Sequence, residues 1–317
     1  MNLLDVTKYL QTDDQCLDFL EKVRWNGRVR CIRCGNDKIS RVERKANPSD
    51  KKKKNRRSRL YTCLESTCKH QFSTTTGTMF HDSHLPLSKW FMAIALIVHA
   101  KKGMSAKQME RHLDVNYRTA WFMGHRIRKA MAQPGGLAAG MVTPRPKMSG
   151  IVEMDETYVG GRQRGKGVKY GKEQKAVVVG LRERGGDLRF FHTSDARAVT
   201  LKPILDENIS SEVEQIMTDD TCAAYALLHA TGKHSVVKHS RSQYVNGIVH
   251  TNSIESAFSL FKRGVVGSFH RVSHKHLHRY LSEFEYRFNG RELPDLFGQT
   301  VARMTQPGNM PYAQLIS

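Results

Sequence analysis

The sequence predicts a multidomain α/β chain in three parts: a small cysteine-bound module, a helical domain, and a mixed sheet with flanking helices. Three observations predict it. Four cysteines fall in two short pairs between Cys31 and Cys68. Apolar residues recur at helical spacing between residues 85 and 132. From Ile151 the pattern changes to short β-like runs.

The chain has 317 residues, and 39% are apolar, so it is long enough for several domains and is globular rather than disordered. Lys and Arg number 51 against 30 Asp and Glu, a net charge of +21. Such an excess at ordinary hydrophobicity points to a polyanionic partner, nucleic acid before a ribosomal or membrane-surface role. Residues 1–10 lack the basic start and apolar run of a secretory signal. The longest apolar stretch, Trp90–Val98, falls far short of the roughly 18 residues that a membrane span needs. Six cysteines in a chain of this length do not form a disulfide framework. The expected setting is reducing and cytoplasmic, with no membrane partner.

Residues 1–30 are expected to be a helical lead-in. Cys31-Ile32-Arg33-Cys34 is then one C-x2-C knuckle, and Cys63-x4-Cys68 is the second. Two thiolate pairs close a tetrahedral four-sulfur site that suits Zn²⁺, and a closed site makes that zinc structural. Residues 31–82 are therefore expected to be a zinc ribbon, with a strand in Gln71-Phe72-Ser73-Thr74-Thr75; four buried free cysteines are the alternative. The Lys51–Arg59 run fits a hairpin tip. There Lys52, Lys53, Arg56 and Arg57 are candidates for DNA phosphate contact, against a plain solvated loop. Cys16 and Cys222 have no partner by spacing and are expected to be packing residues.

Residues 85–132 are expected to form a helix-turn-helix-like DNA-binding domain. Ser88 is placed to cap a helix through His99. Ser105 and Gln108 fit a capping box for a helix to about Leu113. Asp114-Val115-Asn116 turns the chain, and Asn116 caps a helix from Tyr117 to Met131. A short helix, a turn and a longer basic helix is the layout of a groove reader. Arg118, Arg126 and Lys129 are its candidate DNA contacts, with His125 and Arg128 on the same polar side. A helical bundle with a solvated basic side is the alternative. Residues 133–150 hold three Pro and four Gly, a linker composition.

Beyond the linker, strands are expected at Ile151–Val159, Ala176–Leu181, Leu188–Thr193 and Glu214–Thr218, and helices at 252–263 and 274–289. The first strand carries Asp155 among apolar neighbours, where a carboxylate is costly unless paired. Asp219 and Asp220 end another strand. Glu255 sits on the first of the two helices, on a polar face with Asn252, Ser259 and Lys262. Converging carboxylates repel unless a cation neutralises them, and hard oxygen ligands suit Mg²⁺ or Mn²⁺. A salt bridge for Asp155, a turn cap for Asp219 and a capping box from Asn252 to Glu255 are the competing explanations.

Longer blocks are more specific. Met154-Asp155-Glu156-Thr157-Tyr158-Val159-Gly160-Gly161-Arg162 is one. His250-Thr251-Asn252-Ser253-Ile254-Glu255-Ser256-Ala257-Phe258-Ser259-Leu260-Phe261-Lys262-Arg263-Gly264 is another, followed by Gly267-Ser268-Phe269-His270 and Glu285-Tyr286-Arg287-Phe288-Asn289. Together with the cysteine pairs and Thr76-Gly77-Thr78-Met79-Phe80, they resemble the ISXO2-like transposases of the IS1595 insertion-sequence family, over roughly residues 15–292. The resemblance implies an RNase H-like catalytic domain over residues 151–292; residues 293–317 are expected to be a C-terminal tail. It implies a DDE metal triad of Asp155, Asp219 and Glu255, with Asp220, Asn252 and Lys262 as possible additional active-site residues and His270 close to DNA. It also implies double-stranded DNA as partner, both terminal inverted repeats and target, and a dimer or higher oligomer in the synaptic complex. The expected activity is metal-dependent strand cleavage and joining by a bacterial, nucleoid-associated enzyme. A DNA-binding protein without chemistry and a junction nuclease are the rivals.

Overall fold

A computed structural model describes residues 1–42, 59–132, 145–160, 175–306 and 312–316, apart from 221, 242 and 244. Lys52, Lys53, Arg56 and Arg57, most of the expected linker, and Gly161 and Arg162 lie outside the described residues.

Two short helices open the chain, α1 (Leu3–Tyr9) and α2 (Asp13–Trp25), each started by a full capping box at Asn2 and Thr12. A three-stranded antiparallel sheet follows in the order β1 (Ile39–Arg41), β2 (Leu60–Cys63), β3 (Gln71–Ser73). Next come α3 (Leu87–His99), α4 (Ala106–Leu113) and α5 (Tyr117–Met131). Ser105 and Asn116 accept first-turn amides as expected. Asp114 turns the chain in the left-handed region, at φ 47°. Ser88 does not cap α3. The amide of Leu87 donates instead to Asp13 of α2, at 2.9 Å, so this helix start is fixed by tertiary contact.

The second half holds five strands: β4 (Ile151–Val159), β5 (Ala176–Glu183), β6 (Leu188–Thr193), β7 (Gln215–Asp219) and β8 (His234–Val237). Their order in the sheet is β6-β5-β4-β7-β8. β4 is antiparallel to β5 and parallel to β7, and β8 extends the parallel side. One face packs on α6 (Ala198–Asn208) and a 3-10 helix, Ala223–Thr231; the other packs on α7 (Asn252–Gly264) and α8 (His274–Asn289). Strand periodicity divides β4 between them. Val152 and Met154 join the α6 core, while Val159 joins the α7 core. Glu153, Asp155 and Thr157 share the parity of Val159 and so belong to the α7 side.

The expected C-terminal tail contains α9 (Leu296–Thr305), whose Phe297, Val301 and Met304 are fully buried in the N-terminal helical core, and the short α10 (Tyr312–Ile316). The helical layer is thus built from both ends of the chain. It is fastened to the sheet domain by Arg128 of α5, whose Nε lies 2.6 Å from the buried Glu283 of α8.

Candidate active site

The parallel pairing of β4 and β7 ends at Glu153 opposite Met217. Counted two residues further along each strand, Asp155 and Asp219 come level, at the end of the pairing where the strands open. Buried Asp219 and half-buried Asp155 act on one another. Burial, then the charges of Asp219 and Glu156, push the Asp155 carboxyl up to about 8, with a smaller contribution from Glu255. Glu255 lies one turn into α7. Its Oε1 accepts the hydroxyl of buried Thr251 at 2.7 Å. Thr251, not Asn252, is the N-cap position, and its side chain caps no amide, so the Asn252–Glu255 capping box does not form.

A groove of about 620 Å³ is lined by Asp155, Glu156 and Thr157 of β4 and by Glu255, Ser259, Lys262 and Arg263 of α7, with Val266 just beyond. Lys262 and Arg263 are exposed on the last turn of α7. The helix runs on into a π-helical turn, Val265–Phe269, and then into His270 at φ 59°. Such turns are frequent at functional sites. Asp220 follows Asp219 at the end of β7. It is exposed and accepts both the amide and the hydroxyl of Ser240, beyond β8. Glu156 takes the Tyr225 hydroxyl on the α6 side of the sheet.

Three residues of this region were not singled out from the sequence: Glu153, Gly180 and Arg184. Glu153 carried a signal, being a second acid of matching strand parity two residues before Asp155. Gly180 and Arg184 carried none.

In the ribbon, the Sγ atoms of Cys31, Cys34, Cys63 and Cys68 all lie within 4.8 Å of one another. Cys31 is 3.7 Å from Cys68 and Cys34 is 3.6 Å from Cys63. Zn–S bonds near ~2.3 Å in a tetrahedron give an S–S edge of about 3.8 Å, so the cluster fits a zinc ion. Each knuckle closes on a residue of positive φ after its second cysteine, Gly35 at 75° and Lys69 at 40°. Among the described residues this is the one cluster so compact; the carboxylates are not drawn together as tightly.

The basic side of α5 is not displayed as expected. Arg126 is buried, its guanidinium over the rings of Phe122 and Trp90. His125 and Arg128 are buried against α8, and Lys129 is half-buried. Arg118 remains exposed. Arg59, which ends the basic run, lies 2.5 Å from Asp18 and 3.1 Å from Glu21, an ion pair with α2.

Known proteins align with this arrangement in two blocks. A transposase zinc-ribbon domain matches residues 11–71, and the ISXO2-like transposase domain of IS1595 elements matches residues 147–289. The chain belongs to the IS1595 family of ISXO2-like transposases. The transposase block contains every acid of the groove, and the ribbon block contains all four paired cysteines up to Cys68. An uncharacterized protein in transposable element ISH50 of Halobacterium salinarum is 30% identical over 301 residues, covering 88% of this chain and 92% of that relative. No solved structure matches. No helix among the described residues is long and apolar enough to cross a membrane.

Proposed function

We propose that this transposase binds the terminal inverted repeats of its insertion sequence, hydrolyses DNA strands at the element ends, and joins the freed 3′-hydroxyls to target DNA. The observation that carries this is the coupling of Asp155 with Asp219 and Glu255 beside a groove into which α7 also brings Lys262 and Arg263. Burial first, and then repulsion from the neighbouring acids, raise the Asp155 carboxyl well above the usual carboxylate range. A cation would relieve that repulsion. The all-oxygen donor set suits Mg²⁺ or Mn²⁺, held by Asp155, Asp219 and Glu255. Held there, a divalent metal would supply activation of an attacking hydroxyl and charge stabilisation of a leaving oxygen. Lys262 and Arg263, further along α7, attract the DNA phosphates, and Thr251 orients the Glu255 carboxylate.

The mixed sheet, with Asp155 in mid-strand on β4 and Asp219 at the end of neighbouring β7, supports an RNase H-like reading of residues 151–292. The α4–turn–α5 unit supports a helix-turn-helix-like reading in which Arg118, rather than buried Arg126, faces DNA. Lys52, Lys53, Arg56 and Arg57 supply phosphate contacts beside a structural zinc at the four cysteines. Two or more copies bring the element ends together.

The test is a strand-transfer assay on duplexes carrying the terminal repeats. Asp155→Asn, Asp219→Asn and Glu255→Gln are expected to abolish cleavage and joining while leaving end binding intact, because an amide keeps the shape and loses the charge. Asp220→Asn is expected to retain activity, since Ser240 occupies that side chain. Asn252→Ala and Lys262→Ala report whether either completes the site. Full strand transfer by Asp155→Asn overturns the mechanism.

A further inference from the structure

We propose that Glu153 is a positioning residue that sets the three acids in register by tying α7 to the sheet; this rests on the metal-dependent reading above. Glu153 is fully buried on β4. Its Oε2 accepts the backbone amides of Ser253 at 2.7 Å and Ile254 at 3.0 Å, the first-turn amides of α7. Its Oε1 accepts the Ser253 hydroxyl at 3.0 Å and Arg184 Nε at 2.7 Å. Arg184 continues the chain of contacts. It donates to the carbonyls of Ile248 at 2.9 Å and His250 at 3.1 Å, on the segment entering α7, and its Nη2 lies 3.2 Å from Met217 Sδ on β7.

Helix capping alone does not explain this arrangement. Thr251, Asn252 and Ser253 are all good capping residues, and a local cap stabilises a helix by roughly 0.5–2 kcal/mol without burying a charge. Here the first turn is capped from 100 residues away by a carboxylate removed from water, an expensive choice unless every lone pair is satisfied. A local cap leaves a helix free to shift over the sheet, whereas a strand carboxylate fixes it there. The connection reaches all three acid-bearing elements. Asp155 is two residues beyond Glu153, Asp219 two beyond Met217, and Glu255 two beyond Ser253.

Glu153→Gln keeps the shape but offers one acceptor oxygen and turns an NH₂ toward the existing donors. Its Mn²⁺ affinity, titrated by electron paramagnetic resonance with no DNA present, is expected to weaken about tenfold to a hundredfold, as for other groups that orient metal ligands. Cleavage in Mg²⁺, which demands a near-ideal octahedron, is expected to fall at least tenfold, with partial recovery in Mn²⁺, which accepts a less regular shell. Binding to terminal-repeat DNA is expected to be unchanged. A lowered Tm with unaltered Mn²⁺ affinity and an unaltered Mg²⁺ to Mn²⁺ rate ratio makes Glu153 a stabilising residue only and overturns the proposal. If Glu153→Gln does not fold, Ser253→Ala removes one hydrogen bond and strands no charge. It is expected to shift affinity and rate ratio severalfold in the same direction, and wild-type values for both overturn the proposal. Asp155→Asn run alongside separates the two levels. If it still binds Mn²⁺ and cleaves, the metal-dependent reading fails; if it is inert while Glu153→Gln behaves as wild type, only the positioning role fails.

Discussion

Gly180 of β5 stands directly opposite Asp155 of β4. A Cβ there would lie 2.6 Å from Ile254 Cδ1 and 2.7 Å from Phe258 Cζ, both buried side chains of α7. Glycine therefore lets α7 settle onto the sheet at the level of the acids, a close approach that strands reserve for this residue. Gly180→Ala is expected to destabilise the protein by about 1–3 kcal/mol through overpacking and to lower the cleavage rate by displacing Glu255. Denaturant midpoints and single-turnover cleavage measure the two effects, and an unchanged midpoint would show that the core has room to spare. At this scale the acids were legible because a carboxylate in an apolar strand is an anomaly with a short list of explanations. Gly180 was not, because a glycine within a run of valines reads as a weakened strand until its neighbour on the next layer is known.

The ribbon strands are only three or four residues long, and the buried core around them is Cys31, Tyr61, Cys63 and Phe72. Partly buried Trp25, Val29 and Ile39 add to it, but so small an apolar core predicts that metal binding at the four cysteines contributes much of the folding energy. Stoichiometric removal of zinc by a chelator, or Cys63→Ser, is expected to abolish amide-exchange protection in β2 while leaving α3 protected. Retained protection in β2 without metal would mean that the aromatic cluster suffices. Cysteine spacing made this element legible, because ligand geometry is a local constraint. The same holds for α4 and α5, whose caps at Ser105 and Asn116 are local signals. What α5 presents to solvent was not legible. Its Arg126 and Arg128 resemble a DNA-reading face in isolation, and they are covered by partners distant in sequence, Trp90 on one side and Glu283 on the other.

Over the whole molecule, the chain closes on itself. The Phe297 ring of α9 lies 5.7 Å from that of Phe19, tilted, and 5.9 Å from that of Phe91, edge to face, and the carbonyl of Met304 accepts the amide of Met79 at 2.9 Å. The α-amino group of Met1 lies 2.7 Å from Asp295. The family motifs end near Asn289, and nothing in the residues after them says which distant surface they meet, so a tail was the natural expectation. Its helix instead completes the core of the N-terminal helices and meets α8 of the transposase domain, where the Tyr286 hydroxyl lies 3.0 Å from that of Thr300. Phe297→Ala is expected to cost about 3–5 kcal/mol, the usual penalty for emptying a buried aromatic site. The loss should register first in α3 and α2, more than 190 residues away in sequence, as faster amide exchange, while β4 and β5 keep their protection longer. Equal loss in the helices and the sheet would show that the two layers unfold as one unit through the Arg128–Glu283 contact. No loss in α3 would mean that α9 is an appendage and that the N-terminal layer folds without it.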